Sequence, residues 1–176
     1  KEAKEMFNPW YAGPLLTGSA HMMPPGSGNV QPYVFVTDNY GAWDADRKSV
    51  KTPSTVTLNP QGIFQFGITD TLDMTIVAQG IENWKQHHSA GGFGDMSVGV
   101  GFPILREGLY VPAIRVKATE RFPTGKYEKL SSKKQGIDGI GGGSYQTTFA
   151  FLISKVIFWS YTHPMSLRGS YTYTIP

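Results

Sequence analysis

The sequence contains no cysteine, which excludes disulfide bonds and thiolate metal sites but does not by itself decide the compartment. Charged residues fill only 16% of its 176 positions, well below the ~25% usual for soluble domains. Nowhere does an apolar run reach the roughly 18 residues that a membrane-spanning helix needs, so none is expected. A barrel strand alternates instead of running apolar, so a membrane is not excluded with it. The balance of charge, +3 with a pI near 9.1, is too small to argue for nucleic acid, and no nucleic-acid partner is expected. The opening Lys1-Glu-Ala-Lys-Glu5 reads as no leader, so an exported form is expected to be the mature one. What the chain holds in quantity is glycine, 21 residues, and aromatic side chains, 13%. That composition suits a β protein with tight turns, and a membrane barrel especially.

The chain is organised around one hairpin. In Gly94–Leu105, Met96, Val98, Val100, Phe102 and Ile104 point one way, and Ser97, Gly99, Gly101 and Pro103 the other. After a three-residue link, Arg106–Gly108, the second arm Leu109–Arg121 sets Tyr110, Pro112, Ile114, Val116 and Ala118 against Arg115, Lys117, Thr119 and Arg121. A period of two over about ten residues marks a strand with one apolar and one polar face. Two such arms on a short polar link predict a hairpin. The polar face carries glycines and cations, which is the pattern of a strand with lipid outside and water inside.

The rest divides into an irregular N-terminal segment at 1–27, broken by prolines, and a β-barrel at 28–176. Seven strands are predicted: about 29–38, 54–69, 74–84, the two arms within 94–121, 143–154 and 164–174. In the last two, Phe149, Phe151, Leu167, Tyr171 and Tyr173 share the apolar face, while Gln146, Thr148, Arg168, Thr172 and Thr174 share the polar one. Loops are expected at 39–52, 85–93 and 122–141, a tight turn at Asp70–Asp73, and a connection at 155–163. Long and short connections then alternate, as in outer-membrane barrels with long loops on one side. An odd strand count and an end in Thr-Ile-Pro, without a terminal aromatic, lead to the expectation that strands are lost on the C-terminal side or that one is missed. Asn8–Tyr11 with Leu15-Leu16 is a candidate plug, an ordered tail being the plainer reading.

Four segments occur in a suggestive order: Gly67–Met74 (Gly-Ile-Thr-Asp-Thr-Leu-Asp-Met), Gly94–Val100 (Gly-Asp-Met-Ser-Val-Gly-Val), Arg121–Gly125 and Gly141–Gln146. Their order resembles the outer-membrane β-barrels of the MetA-pathway phenol-degradation, transporter-like family. Phe7–Pro14 and Thr37–Gly41 look like its branch from Legionella and related intracellular Gram-negative bacteria. The resemblance implies a barrel in the bacterial outer membrane and, loosely, passage of hydrophobic or aromatic compounds. It implies no catalytic residue.

The antiparallel up-and-down transmembrane barrel expected here has lumen-lining Arg115, Lys117, Thr119, Arg121, Gln146, Thr148, Arg168, Thr172 and Thr174. Met96, Val98, Val100, Phe102, Ile104, Tyr110, Ile114, Val116, Phe149, Phe151, Leu167, Tyr171 and Tyr173 face lipid. Lumen cations would favour anionic solutes, unless they pair with inward carboxylates or the interior is filled. Trp43, Trp84, Trp159, Tyr110, Tyr171 and Tyr173 lie near strand ends, where an interfacial girdle would sit. Gly136–Gly143 and Pro123–Lys126 fail as phosphate loops, because a strand follows instead of a helix. His21, His87-His88 and His163 have no ligand spacing around them. Ser166 near His163 lacks the rest of a hydrolase. No enzyme activity, cofactor or metal is expected. The expected partner is outer-membrane lipid, with an envelope protein or a second copy beyond it. Function is read as passive passage of small solutes, hydrophobic or anionic. The alternatives are a structural or partner-binding barrel acting through its loops, and a soluble lipocalin-like barrel.

Overall fold

Alternation with period two becomes a sheet because it lets each strand offer one face to water and one to apolar surroundings. The computed structural model describes residues 17–160 and 163–176. It is all-β and antiparallel, and its single sheet curls into a half-barrel. The strands are β1 (Gly28–Trp43), β2 (Ser49–Thr69), β3 (Leu72–Lys85), β4 (His88–Phe93), β5 (Met96–Leu105), β6 (Ala113–Phe122), β7 (Gln146–Ser160) and β8 (His163–Ile175). Each pairs with its neighbour in sequence, except that β4 and β5 share one edge of β3. β4 lies against Gly80–Lys85 and β5 against Asp73–Val77. Six antiparallel pairings therefore lead from β1 to β8, so these two edge strands run in the same direction. Among the described residues they are not paired with each other.

Several boundaries differ from those the pattern predicted. At 39–52 the expected loop is mostly strand: β1 continues to Trp43 and β2 begins at Ser49. This arm rises above β3, whose last partner on β2 is Thr55, opposite Lys85. Both of its faces are exposed, so no apolar–polar contrast marks it as strand. The loop expected at 85–93 is a two-residue turn, Gln86-His87, followed by β4, which makes eight strands instead of seven. The turn at Asp70–Asp73 is shorter than expected, since Leu72 and Asp73 already belong to β3. The hairpin link is longer: β6 starts at Ala113, so Tyr110 and Pro112 lie in the connection 106–112. Residues 155–160 extend β7. Of the three long connections predicted, only 123–145 is long. The candidate plug at 8–16, Tyr161, and the side chains of Trp159 and His163 lie outside the described residues.

Register assigns every strand residue to a face. One row runs Phe102, Val116, Phe151, Tyr171; the next runs Val100, Ala118, Phe149, Tyr173. These belong to the outer face, where Phe102, Phe149, Phe151, Leu167, Tyr171 and Tyr173 are all exposed. The opposite row Thr119, Thr148, Thr174 belongs to the inner face, with Asp73, Thr75, Arg115 and Ser154 buried on it. The distribution is inverted relative to a water-soluble fold: charge is buried and large apolar side chains are bare.

Candidate functional site: the polar inner face

Polar side chains occupy many of the inward positions of the strands, with apolar ones such as Ile63, Val77, Ala150, Leu152 and Val156 among them. On β2 and β3, besides the charged Asp73 and Lys85, the polar ones include amides and hydroxyls that bond to one another. Thr57 Oγ1 donates to Asn83 Oδ1 at 2.7 Å, Gln61 Nε2 to Asn59 Oδ1 at 2.6 Å, and Asn59 Nδ2 to Gln79 Oε1 at 3.1 Å. Gln79 in turn donates to the Asp95 carbonyl at 3.2 Å. On β6–β8 the same face carries the expected cations and threonines. Between the two groups β5 contributes Gly99 and Gly101.

Those two glycines make room. A Cβ at Gly101 would collide with the Arg115 guanidinium, and one at Gly99 would press on Lys117 and Thr119. Over Gly101, Arg115 reaches from β6 across β5 to Asp73 on β3 and pairs with it. Arg115 is 3% exposed and Asp73 0%. Gln65 Nε2 also donates to Asp73, at 3.1 Å. Burying two charges costs several kcal/mol per ion unless they are paired and hydrogen-bonded, so neither residue is independent of the other.

A strap, residues 17–27, crosses this face at the end where β1 begins. It passes the strands in the order β7, β6, β3, β2. Ala20 N donates to Ser154 Oγ on β7 at 2.9 Å, and Ala20 packs with Ala113 and Leu152 in a small buried cluster. Arg115 Nη1 donates to the Ser19 and His21 carbonyls at 3.5 and 3.4 Å. Met23 N donates to Asp73 Oδ2 at 3.4 Å. Pro25 bridges Gly67 on β2 in parallel, with Gly26 N donating to Gly67 O and Gly67 N to Ser27 O, both at 3.0 Å. The turn Pro24–Ser27 that leads into β1 closes with Ser27 N donating to Pro24 O at 3.0 Å. Pro25 in second place and Gly26 at φ 72 in third suit a type II turn.

At the other end, loop 123–145 folds onto the β3–β4 hairpin. Asp95 holds its base: Gly125 N and Gly142 N donate to the carboxylate at 2.9 and 2.8 Å, and Arg121 pairs with it at 3.0 Å. Asn83 Nδ2 donates to the Ile137 carbonyl at 2.8 Å, and Ile137 and Ile140 are buried beneath. Lys126 Nζ, at 3.0 Å, and Ser131 N, at 2.9 Å, donate to Asp138, and these bonds hold its carboxyl below the usual range.

The nine residues expected to line a lumen, Arg115, Lys117, Thr119, Arg121, Gln146, Thr148, Arg168, Thr172 and Thr174, share the inner face. Two of the cations are paired, Arg115 with Asp73 and Arg121 with Asp95. Lys117 has no ion-pair partner among the described residues. Of the residues expected to face lipid, all lie on the outer face except Tyr110, which is 89% exposed in the 106–112 connection. Sequence reasoning missed Asp73, Asp95, Glu107, Lys155 and Ser154. Asp73 became legible only once β3 began at Leu72, because its parity then matches the Gln79 and Asn83 side.

Glu107 anchors the 106–112 connection. It accepts from Val156 N at 2.7 Å, from His21 Nε2 at 2.5 Å and from Lys155 Nζ at 3.2 Å. Burial alone would push its carboxyl up, but these three hydrogen bonds outweigh it and hold the carboxyl low. A carboxyl lowered by folding stabilises the fold above its unfolded value, ~4.3, and that contribution disappears as pH falls through the folded value. The denaturation midpoint is therefore expected to drop on acidification below about pH 4. In Glu107→Gln it should be lower above about pH 4 and converge on the native value in acid, which gives a shallower acid slope. An unchanged slope would remove Glu107 from the account.

The inner face is therefore a predominantly polar wall, crossed at one end by a strap and overhung at the other by a loop, with an apolar outer face behind it. Among the described residues no three His, Asp or Glu side chains converge as metal ligands would, and no described helix is long and apolar enough to cross a membrane. Comparison with protein-family models and with curated proteins finds no match.

Proposed function

We propose that this chain forms the wall of a transmembrane β-barrel in a bacterial outer membrane, and that the barrel passes small solutes along its polar inner face. One observation carries the membrane reading. On the outer face, by register and alternation, the charged residues of the described strands are Asp38, Glu82 and Glu120 near one end and Lys155 near the other. Lys155 is drawn to the rim, where its ammonium also meets the Gly108 and Leu109 carbonyls at 2.7 and 3.0 Å. Between Thr147 and Lys155 the outer face of β7 is apolar throughout. Those eight steps span about 26 Å at ~3.3 Å per residue, or roughly 20 Å of height at the usual ~40° tilt. An apolar band of about 25 Å is what an outer-membrane barrel presents to lipid. The order of sequence motifs that resembles the phenol-degradation family is in keeping with this reading. A soluble lipocalin-like barrel would need the opposite distribution, apolar within and polar without.

The cations of β6 and β8 supply the solute preference. Arg115 and Arg121 are neutralised by their carboxylates, which leaves Lys117 as the inner-face cation of β6 without an ion-pair partner. Detergent-dependent extraction and heat-modifiable gel mobility are expected, followed by anion-selective conductance in planar bilayers. Lys117→Glu should shift the reversal potential in a salt gradient towards cations. A protein that stays monomeric in water without detergent would end the membrane reading. Inserted protein with no conductance would end the transport reading alone.

A further inference from the structure

We infer that the strap, residues 17–27, is a displaceable gate at one end of the polar conduit; the inference rests on the channel reading above. Its path is the first reason. By crossing from Ser154 on β7 to Gly67 on β2 it spans the inner face at one level, where solute would have to pass. The five steps from Ala20 to Pro25 reach about 17 Å if extended, close to the roughly 19 Å of the four strand spacings from β7 to β2.

The way it is held is the second reason. Apart from Ala20 in its small cluster with Ala113 and Leu152, and His21, whose Nε2 meets the Glu107 carboxylate at 2.5 Å, the strap is tied down by hydrogen bonds of its backbone. These go to Ser154, Arg115, Asp73 and Gly67. Elements with few buried apolar contacts are those that open locally. Water can replace each of these bonds. Departure of the strap would also hydrate the Arg115–Asp73 pair, relieving part of the cost of keeping two charges dry. The turn Pro24–Ser27, with Gly26 at φ 72, gives the strap a fixed pivot where it joins β1.

Gly67 is the seat on which docking depends. A Cβ there would collide with the Pro24 carbonyl and press on that of Met23, so even alanine should prevent the strap from seating.

The native chain has no cysteine, so one introduced pair reports on the strap without competing thiols. Ala20→Cys with Ser154→Cys joins the strap to β7 where Ala20 N and Ser154 Oγ stand 2.9 Å apart. In planar bilayers the oxidised protein should lose its conductance and regain it on reduction, while Gly67→Ala should be open for a larger fraction of the time than the native protein. Heat-modifiable gel mobility, read on every variant, confirms that each is folded. Equal conductance of the oxidised and reduced forms, with the disulfide verified by mass, overturns the gate and leaves the channel standing. Absence of conductance in every folded variant, Gly67→Ala included, overturns the channel and the gate together.

Discussion

Arginine in place of Phe151 is expected to lower the free energy of unfolding from a bilayer by about 2–4 kcal/mol, the cost of that side chain near the midplane of a barrel's lipid face. Phe151 lies midway along β7 on the outer face, between Val116 of β6 and Tyr171 of β8. Even between these apolar neighbours it remains 42% exposed. Two controls use the same arginine. At Thr148, which faces inward beside Thr119 and Thr174, the charge meets water, and the change should stay within about 0.5 kcal/mol. At Ile157, beyond Lys155 towards the rim, it should cost about 0–1 kcal/mol, because the guanidinium reaches the headgroups. Reversible folding into liposomes, followed by denaturant titration, reads all three. Equal effects at 151 and 148 would mean that the two faces meet the same solvent, and the lipid assignment would fail.

The second large effect concerns Asp73. Asp73→Ala leaves the Arg115 guanidinium buried without its counter-ion, and removing one partner of a buried pair costs about 3–5 kcal/mol. The strap loses the acceptor of Met23 N in the same change. Replacing both partners, Asp73→Ala with Arg115→Met, removes the stranded charge and should recover a substantial part of that loss. The interaction energy from the double-mutant cycle is then clearly non-zero. Denaturation midpoints of the four proteins in one liposome system decide it. A single-mutant loss below about 1 kcal/mol, the range of exposed pairs, would mean that water already reaches the pair.

Sequence alone exposed the faces but not the contacts. The hairpin from Gly94 to Arg121 was legible because lipid-like and water-like positions alternate there for several turns of the pleat. Its consequences for Val98, Phe102, Arg115 and Lys117 followed directly. The arm 39–52 was not legible, because a two-stranded ribbon exposed on both faces has no contrast to display. β4 was hidden in the same way, by Gly91, Gly92 and a pair of histidines. The inner-face pairs lay beyond reach for a different reason. Asp73 and Arg115 are 42 residues apart and meet only because Gly101 leaves a gap between their strands, a relation that no local window contains. The strap was read as a proline-broken tail, which describes its composition and omits its backbone partners on β2 and β7.

The shared direction of β1 and β8 sets an arithmetic for any closed cylinder. Antiparallel pairing at both free edges requires an odd number of intervening staves, which brings the total to an even one, the usual state of bacterial single-chain barrels. Two copies standing the same way up in one membrane obey a different rule. Each would offer β8 to the other's β1, and both seams would be parallel. Parallel seams have evenly spaced, slanted hydrogen bonds in place of alternating close and wide pairs. A homo-oligomeric cylinder would thus carry two visible welds, and a cylinder completed by an odd set of strands would carry none.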